Sequence, residues 1–288
     1  MVTPLQQLSD PLFEEKHVVV FMKRDDLIHP QISGNKWRKL KYNLQEAREK
    51  NYQTLLTFGG AYSNHIYAVA AAGKEFGFKT IGIIRGEKVL PLNQTLSFAS
   101  DHGMMLQFIS REDYRQKEND DFIEKLRHEF GNFYLLPEGG TNTLAVKGCK
   151  EIVDEISIPY DYICTAVGTG GTLAGLIAGS NHQLHVVGFS VLKGMMDIEE
   201  KTERLLFEFC GARFSNWTIN HDYHFGGYAK ANEELFTFID QFKDQHHITL
   251  DPVYTGKMMF GIYDLIRKDY FSKHATIIAL NTGREIIL

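Results

Sequence analysis

DYICTAVGTGGTLAGLIAGS, residues 161–180, runs from β-branched and small apolar residues through a glycine-rich bend into a second apolar run. The order strand, bend, helix is the front of a βα unit, and the glycines at 168, 170 and 171 let the backbone come close to whatever lies at the bend. Amides at a helix N-terminus and the hydroxyls of Thr169 and Thr172 would converge there on one point, which suits a phosphate. Two familiar loops are excluded. Leu173 stands where a dinucleotide fingerprint needs glycine or alanine, and no Gly-Lys-Ser/Thr follows. A tight turn with no ligand, or a nucleotide site using this loop alone, stays open at this point.

The same alternation extends outward in both directions. HVVVFM at 17–22 precedes a helix over about 36–50, on which Trp37, Leu40, Leu44 and Ala47 share a face. TLLTF leads into NHIYAVAAAGKEFG, TIGII into a helix near 92–102, MLQFI into one near 121–130, and NFYLL into one near 142–156. Beyond the bend, HVVGFS leads to a helix near 196–209, and a last helix near 256–268 precedes TIIALN. Repeated βα steps predict an α/β fold of parallel sheets flanked by helices, with ligands gathering where strands end and helices begin.

At 288 residues the chain exceeds what one core usually serves. With 43% hydrophobic residues it is far from a disordered composition. A charge of −5, from 31 Lys and Arg against 36 Asp and Glu, leaves no cationic surplus for a nucleic-acid backbone. No run is long and apolar enough to span a membrane, and the opening MVTPLQQLSDPLFEEK lacks a signal-peptide pattern, so a cytoplasmic protein is expected. Cys149, Cys164 and Cys210 have no CxxC spacing and read as buried apolar residues. His221 and His224 have no third ligand placed beside them, so no metal site is expected.

Four further segments concentrate reactive groups. Asn35, Lys36, Trp37, Arg38 and Lys39 follow the flexible Ser33-Gly34 pair, and spacing three puts Lys36 and Lys39 on one helical face. Two adjacent ammonium groups repel, which lowers an amine pKa and suits Schiff-base chemistry. A solvated basic helix is the alternative. Gly59-Gly60-Ala61-Tyr62-Ser63-Asn64-His65 follows a strand and opens a helix, with Ser63 or Asn64 as N-cap; a plain capped turn would look the same. Asp251-Pro252-Val253-Tyr254-Thr255-Gly256-Lys257 opens the last helix, and Asn281-Thr282-Gly283 closes the last strand.

Taken together, KRDDLIHPQISGNKWRKLKYNL at 23–44, AYSNHIYAVAAAG, GTGGTLAGL and DPVYTGK resemble the 1-aminocyclopropane-1-carboxylate (ACC) deaminase and D-cysteine desulfhydrase family of pyridoxal-phosphate enzymes, with the tryptophan-synthase-β-like fold type II. The resemblance implies a large domain from residues 1–46 and 148–288, a small one from 47–147, and pyridoxal 5'-phosphate in the cleft between them. It also implies a homodimer acting on a small amino acid. It makes Lys36 the Schiff-base lysine, Lys39 a phosphate contact, and Gly168, Thr169, Gly170, Gly171 and Thr172 the phosphate cup. Asn64 would meet the cofactor's phenolic oxygen, Thr282 its ring nitrogen, and Ser63 the substrate carboxylate or the reaction itself. Tyr254 and Tyr228 match active-site tyrosines.

His65 and Thr255 stand where members that deaminate ACC resemble one another in carrying Gln and Glu, which leans the reading toward D-cysteine. The implied reaction begins when the substrate amine displaces Lys36, whose freed amine can serve as base. Loss of the α-proton and of a β-thiolate would give pyruvate, ammonia and sulfide. ACC has no α-proton, so its ring opening would draw on Ser63 and Tyr254 and give 2-oxobutyrate and ammonia. Arg284 replaces a glycine of the family's usual Thr-Gly-Gly, and connections around 191–225 are short; a cofactor-binding protein without turnover is the competing expectation.

Overall fold

A computed structural model describes residues 2–32, 34–180, 182 and 184–283. Arg284 lies outside them. The chain runs β1 (Leu5–Leu8), α1 (Pro11–Glu15), β2 (Val19–Lys23), α2 (Asn35–Glu49), β3 (Thr54–Gly59), α3 (Asn64–Phe76), β4 (Lys79–Arg85), α4 (Gln94–Asp101) and β5 (Met105–Ile109). It continues with α5 (Arg111–Tyr114), α6 (Asp120–Phe130), β6 (Tyr134–Leu136), α7 (Thr143–Asp154), β7 (Tyr162–Val167), α8 (Gly171–Ser180) and β8 (His185–Ser190). The last elements are α9 (Ile198–Cys210), β9 (Trp217–Asn220), α10 (Glu233–His246), α11 (Thr255–Arg267) and β10 (Thr276–Leu280).

Two sheets form. The larger has the order β1-β2-β10-β7-β8-β9 and the smaller β5-β4-β3-β6. Every pairing is parallel except β1 with β2 at one edge. The larger sheet draws its strands from both ends of the chain; the smaller uses only 54–136.

Alternation along the strands assigns each face. In β7, Cys164 and Ala166 pack with α10 and α11, whereas Ile163 and Val167 pack with α7, α8 and α9. In the smaller sheet Leu55 faces α2, α3 and α4, while Leu56 and Phe58 face Leu126 of α6. Both sheets are therefore covered on both sides, as parallel sheets require, and their strands read as nearly unbroken apolar runs.

The expected βα steps match these elements to within a few residues. β1, α1, α5, β9 and α10 were not anticipated. In α10 the apolar stripe Leu235, Ile239, Phe242 is regular, but nine of its fourteen residues are charged, polar or His, so it reads as surface. One cysteine departs from expectation: Cys149 and Cys164 are buried, but Cys210, in the last turn of α9, is exposed.

Candidate active site

A cavity of about 250 Å³ opens where strands of both sheets end. Gly168 follows β7, Thr282 follows β10, Gly60 and Ser63 follow β3, Arg85 ends β4, and Glu138 follows β6, and all of them line it. Parallel strands aim their carboxyl ends one way, so chain segments far apart in sequence deliver loop amides and side chains to one place.

The entry to α2 is fixed by a glycine. Gly34 has φ +63, and a Cβ there would lie 1.8 Å from the carbonyl oxygen of Thr282. The Asn35 amide donates to that same oxygen at 3.0 Å. The first turn of α2 is thereby docked on the end of β10, next to Thr282.

Lys36 and Lys39 project from this turn into the cavity. Lys36 is half-buried and lines the cavity, and its Nζ donates to Asn35 Oδ1 at 2.8 Å. Burial, with repulsion from Lys39, pushes its amine down to about 7 against the opposing fields of Cys149 and Asp251. Lys39 is 3% exposed and donates to Gly139 O and Thr141 Oγ1, both at 3.1 Å; burial lowers its pKa as well. A Cβ on Gly171 would sit 3.0 Å from Lys39 Nζ, so this amine lies against the start of α8.

Gly168, Thr169, Gly170 and Thr172 line the cavity; Gly171 does not, and instead backs onto Lys39 and Thr141. Thr169 shares a 2.6 Å hydroxyl bond with Thr141, and Thr172 accepts from Asn35 Nδ2 at 2.8 Å. The bend thus combines loop amides, a helix N-terminus and two hydroxyls beside a buried cation.

Across the cavity Ser63 caps α3, its Oγ accepting from the amides of His65 and Ile66 at 3.2 and 3.3 Å. Its hydroxyl proton is free of that cap and can be donated to a carboxylate. Asn64 lines the opening beside it. His65 is 1% exposed, with Nε2 2.8 Å from Thr57 Oγ1. Thr57 donates its own proton to Leu136 O at 2.9 Å, so His65 must donate from Nε2, which leaves Nδ1 as an unprotonated acceptor. Nδ1 is buried without a partner among the described residues. Burial and the nearby Lys36 and Lys39 hold its pKa well below the usual range, and the ring stays neutral.

Tyr228 and Tyr254 both line the cavity, with ring centroids 6.4 Å apart at 70°. Burial raises both phenols, Tyr228 to about 12, and Tyr254 further because its hydroxyl interacts with that of Tyr228. Thr255, like Gly171, departs from the expected set. It is 0% exposed and lies outside the cavity lining, because its hydroxyl donates to Asp251 Oδ2 at 2.7 Å and accepts from the Asp251 amide at 2.9 Å. Asp251 in turn caps α11 and lines the cavity.

Arg85 and Glu138 are cavity residues that sequence reasoning did not single out, and Asn35 and Asp251, named there within their segments, were given no role of their own. Arg85 ends one strand and Glu138 begins the bend after another, in PEGG at 137–140. Reading every strand end as a ligand position would have found both.

Two crowded amines facing a glycine-rich helix N-terminus, beside an unpaired imidazole acceptor, suit a phosphorylated aldehyde, and the residues present fit pyridoxal phosphate. They define a cofactor-dependent α/β enzyme. The chain belongs to the pyridoxal-phosphate dependent enzyme family, whose description matches residues 1–283.

Relatives agree over nearly the whole length. A Pyrococcus abyssi protein provisionally named 1-aminocyclopropane-1-carboxylate deaminase is 31% identical over 304 aligned positions, covering 98% of this chain and 88% of its own. The Arabidopsis thaliana mitochondrial bifunctional D-cysteine desulfhydrase/1-aminocyclopropane-1-carboxylate deaminase is 30% identical over 272 positions, covering 87% and 68%. The crystal structure of an ACC deaminase homologue matches with a TM-score of 0.86 at 30% identity, over 98% of this chain and 89% of the other.

Proposed function

We propose that this chain breaks down D-cysteine to pyruvate, ammonia and sulfide, with ACC deamination to 2-oxobutyrate and ammonia as the second reading. The observation that carries it is the enclosed Lys36 amine, near-neutral in pKa, set among Lys39, the 168–172 bend and the Ser63-Asn64 turn. Bound there, pyridoxal phosphate supplies an aldehyde for amines and a ring that draws electrons from the substrate's α-carbon. Lys36 would hold the aldehyde, Lys39 with Gly168, Thr169, Gly170, Gly171 and Thr172 the phosphate, Asn64 the phenolic oxygen, and Thr282 the ring nitrogen.

The chain's own groups then divide the work. Ser63 and Asn64 orient the substrate carboxylate. An amine with a pKa of about 7 is substantially neutral at physiological pH, so a freed Lys36 can take a proton at Nζ. Tyr228 and Tyr254, both protonated at that pH, can donate to the departing group. For ACC, which offers no α-proton, the same tyrosines and Ser63 would act on the ring carbons. The D-cysteine reading is favoured by His65, which lines the cavity; Thr255 no longer supports it as a direct substrate contact.

The two sheets support a division into 1–46 with 148–288 and 47–147. A homodimer follows from the family resemblance and is tested by sedimentation; a cytoplasmic location rests on the sequence pattern alone. The decisive assay is parallel turnover of D-cysteine, L-cysteine and ACC by one preparation, scoring sulfide and each keto acid. D-cysteine should lead. ACC turnover above D-cysteine turnover reverses the order of the two readings, and a yellow protein that turns over none of them defeats both.

A further inference from the structure

Lys257 is a fully buried cation that the chemistry above does not use. It lies in the first turn of α11, three residues after Tyr254, and is 0% exposed. Its partners are backbone carbonyls: Nζ donates to His224 O at 2.9 Å and Gly227 O at 2.8 Å. Removing an ammonium from water is costly, and two carbonyl dipoles offset only part of that cost. Burial brings the amine down to about 8, against the opposing field of Asp251.

The loop that supplies those carbonyls is unusually wound. Phe225, Gly226, Gly227 and Ala229 have φ values of +51, +93, +118 and +52. For Phe225 and Ala229 this left-handed backbone is strained, so the surrounding structure must hold it. Within the loop, Gly227 N donates to His224 O at 2.9 Å and Lys230 N to Gly227 O at 3.1 Å. Lys257 therefore bonds to the same two oxygens that close these turns. Tyr228 lies within the second of these turns, its ring facing Tyr254.

We propose that Lys257 is a positioning residue that clamps the 224–230 loop and so sets the Tyr228 hydroxyl against Tyr254. One helical turn then governs both phenols, Tyr254 through the chain and Tyr228 through the clamp. The structural claim is independent of the substrate; its consequence for turnover rests on the function proposed above.

Lys257→Met keeps the aliphatic stem and removes the donors, while Lys257→Gln keeps two N–H donors on a shorter arm. In the holoenzyme, Lys257→Met should speed amide exchange across 223–231 by about 10-fold or more and leave β7 and α8 unchanged, with Lys257→Gln intermediate. In ¹³Cζ-tyrosine spectra, Tyr228→Phe should move the Tyr254 resonance in the parent but not in the Lys257→Met background. Exchange within about twofold of the parent, or an equal Tyr254 displacement in both backgrounds, overturns the proposal. If Lys257→Met does not fold, the same readings on Lys257→Gln decide, with smaller changes in the same directions expected and no change overturning it. Where D-cysteine or ACC is a substrate, kcat should fall about 10-fold with KM nearly unchanged, and Lys257→Gln should recover part of it; a rise in KM alone counts against the clamp. If neither is a substrate, the functional reading fails while exchange and spectra still decide this one.

Discussion

Three cations within four residues open α2, and the fold treats its two faces in opposite ways. Arg38, 2% exposed, points away from the cavity to Asp25 Oδ1 at 3.0 Å and Glu155 Oε2 at 2.8 Å. Lys23 joins Glu155 at 2.8 Å. Burial disfavours the Arg38 charge, but its hydrogen bonds to both carboxylates raise its pKa above the usual value. Lys36 and Lys39, on the other face, meet carbonyl and hydroxyl oxygens and an Asn, and their amines are pushed down. A buried charge balanced within the protein marks architecture; one left unbalanced marks where an anion from outside completes the structure.

The sharpest break between the faces lies in removing one side chain from each. Lys36→Ala should lower turnover by about 10³-fold or more and leave no covalent adduct after borohydride reduction, read by peptide mass spectrometry. Folding should survive, because the substitution removes an unbalanced amine. Asp25→Ala should do the reverse. It leaves Arg38 one carboxylate short at a fully buried position, so urea unfolding should report about 3 kcal/mol lost, while folded protein still forms the Lys36 adduct. Were Asp25→Ala to abolish the adduct in folded protein, the two faces would not be separable.

Acid and alkali should sharpen the same contrast, in different windows. Burial opposes ionising Glu155, yet hydrogen bonds from Arg38 and Lys23 hold it at about 2, below its ordinary 4.5. The folded chain then binds fewer protons than the unfolded one, so stability from this group is complete above about 4.5 and lost as pH falls toward 2. For Lys36 the folded amine sits near 7 and the unfolded one near 10.5, so between those values the unfolded chain again binds more protons. Stability of cofactor-stripped protein should therefore rise with pH from about 7 to 10.5. Urea midpoints across pH should show the acid loss flattened by Glu155→Gln and the alkaline gain flattened by Lys36→Met.

How far the sequence discloses this arrangement depends on which forces act locally. Period and glycine placement reveal β7, the 168–172 bend and α8, because each is a short-range pattern. Lys36 and Lys39 are legible as a pair because helical geometry puts spacing three on one face. The Arg38 network is not, since Asp25 and Glu155 come from segments whose meeting depends on packing. Arg85 and Glu138 are legible singly, as residues at strand ends, but their meeting with the rest of the site depends on packing: the second sheet brings them to a cavity whose other wall lies far along the chain. Thr255 shows the converse failure. Tyr254 beside it and Asp251 four residues earlier are cavity residues, but a first-turn hydroxyl in α11 can satisfy Asp251 locally, and it does.

That last distinction yields the smallest and most discriminating measurement, since His65 and Thr255 carry the same weight in the family resemblance and different positions in space. Thr255→Val removes a hydroxyl that both donates to and accepts from Asp251, without a change in shape, and leaves one buried amide unpaired. Stability should fall by about 1 kcal/mol, and the ratio of D-cysteine to ACC turnover should stay put. His65→Gln alters a group at the cavity wall whose Nδ1 is an unfilled acceptor. It should move that ratio by about fivefold, or about 1 kcal/mol in relative transition-state binding, with little loss of stability, because Gln can still donate to Thr57. An equal shift from both substitutions would mean that the Asp251 cap transmits substrate preference through Tyr254, and Thr255 would then belong to the site through its partner.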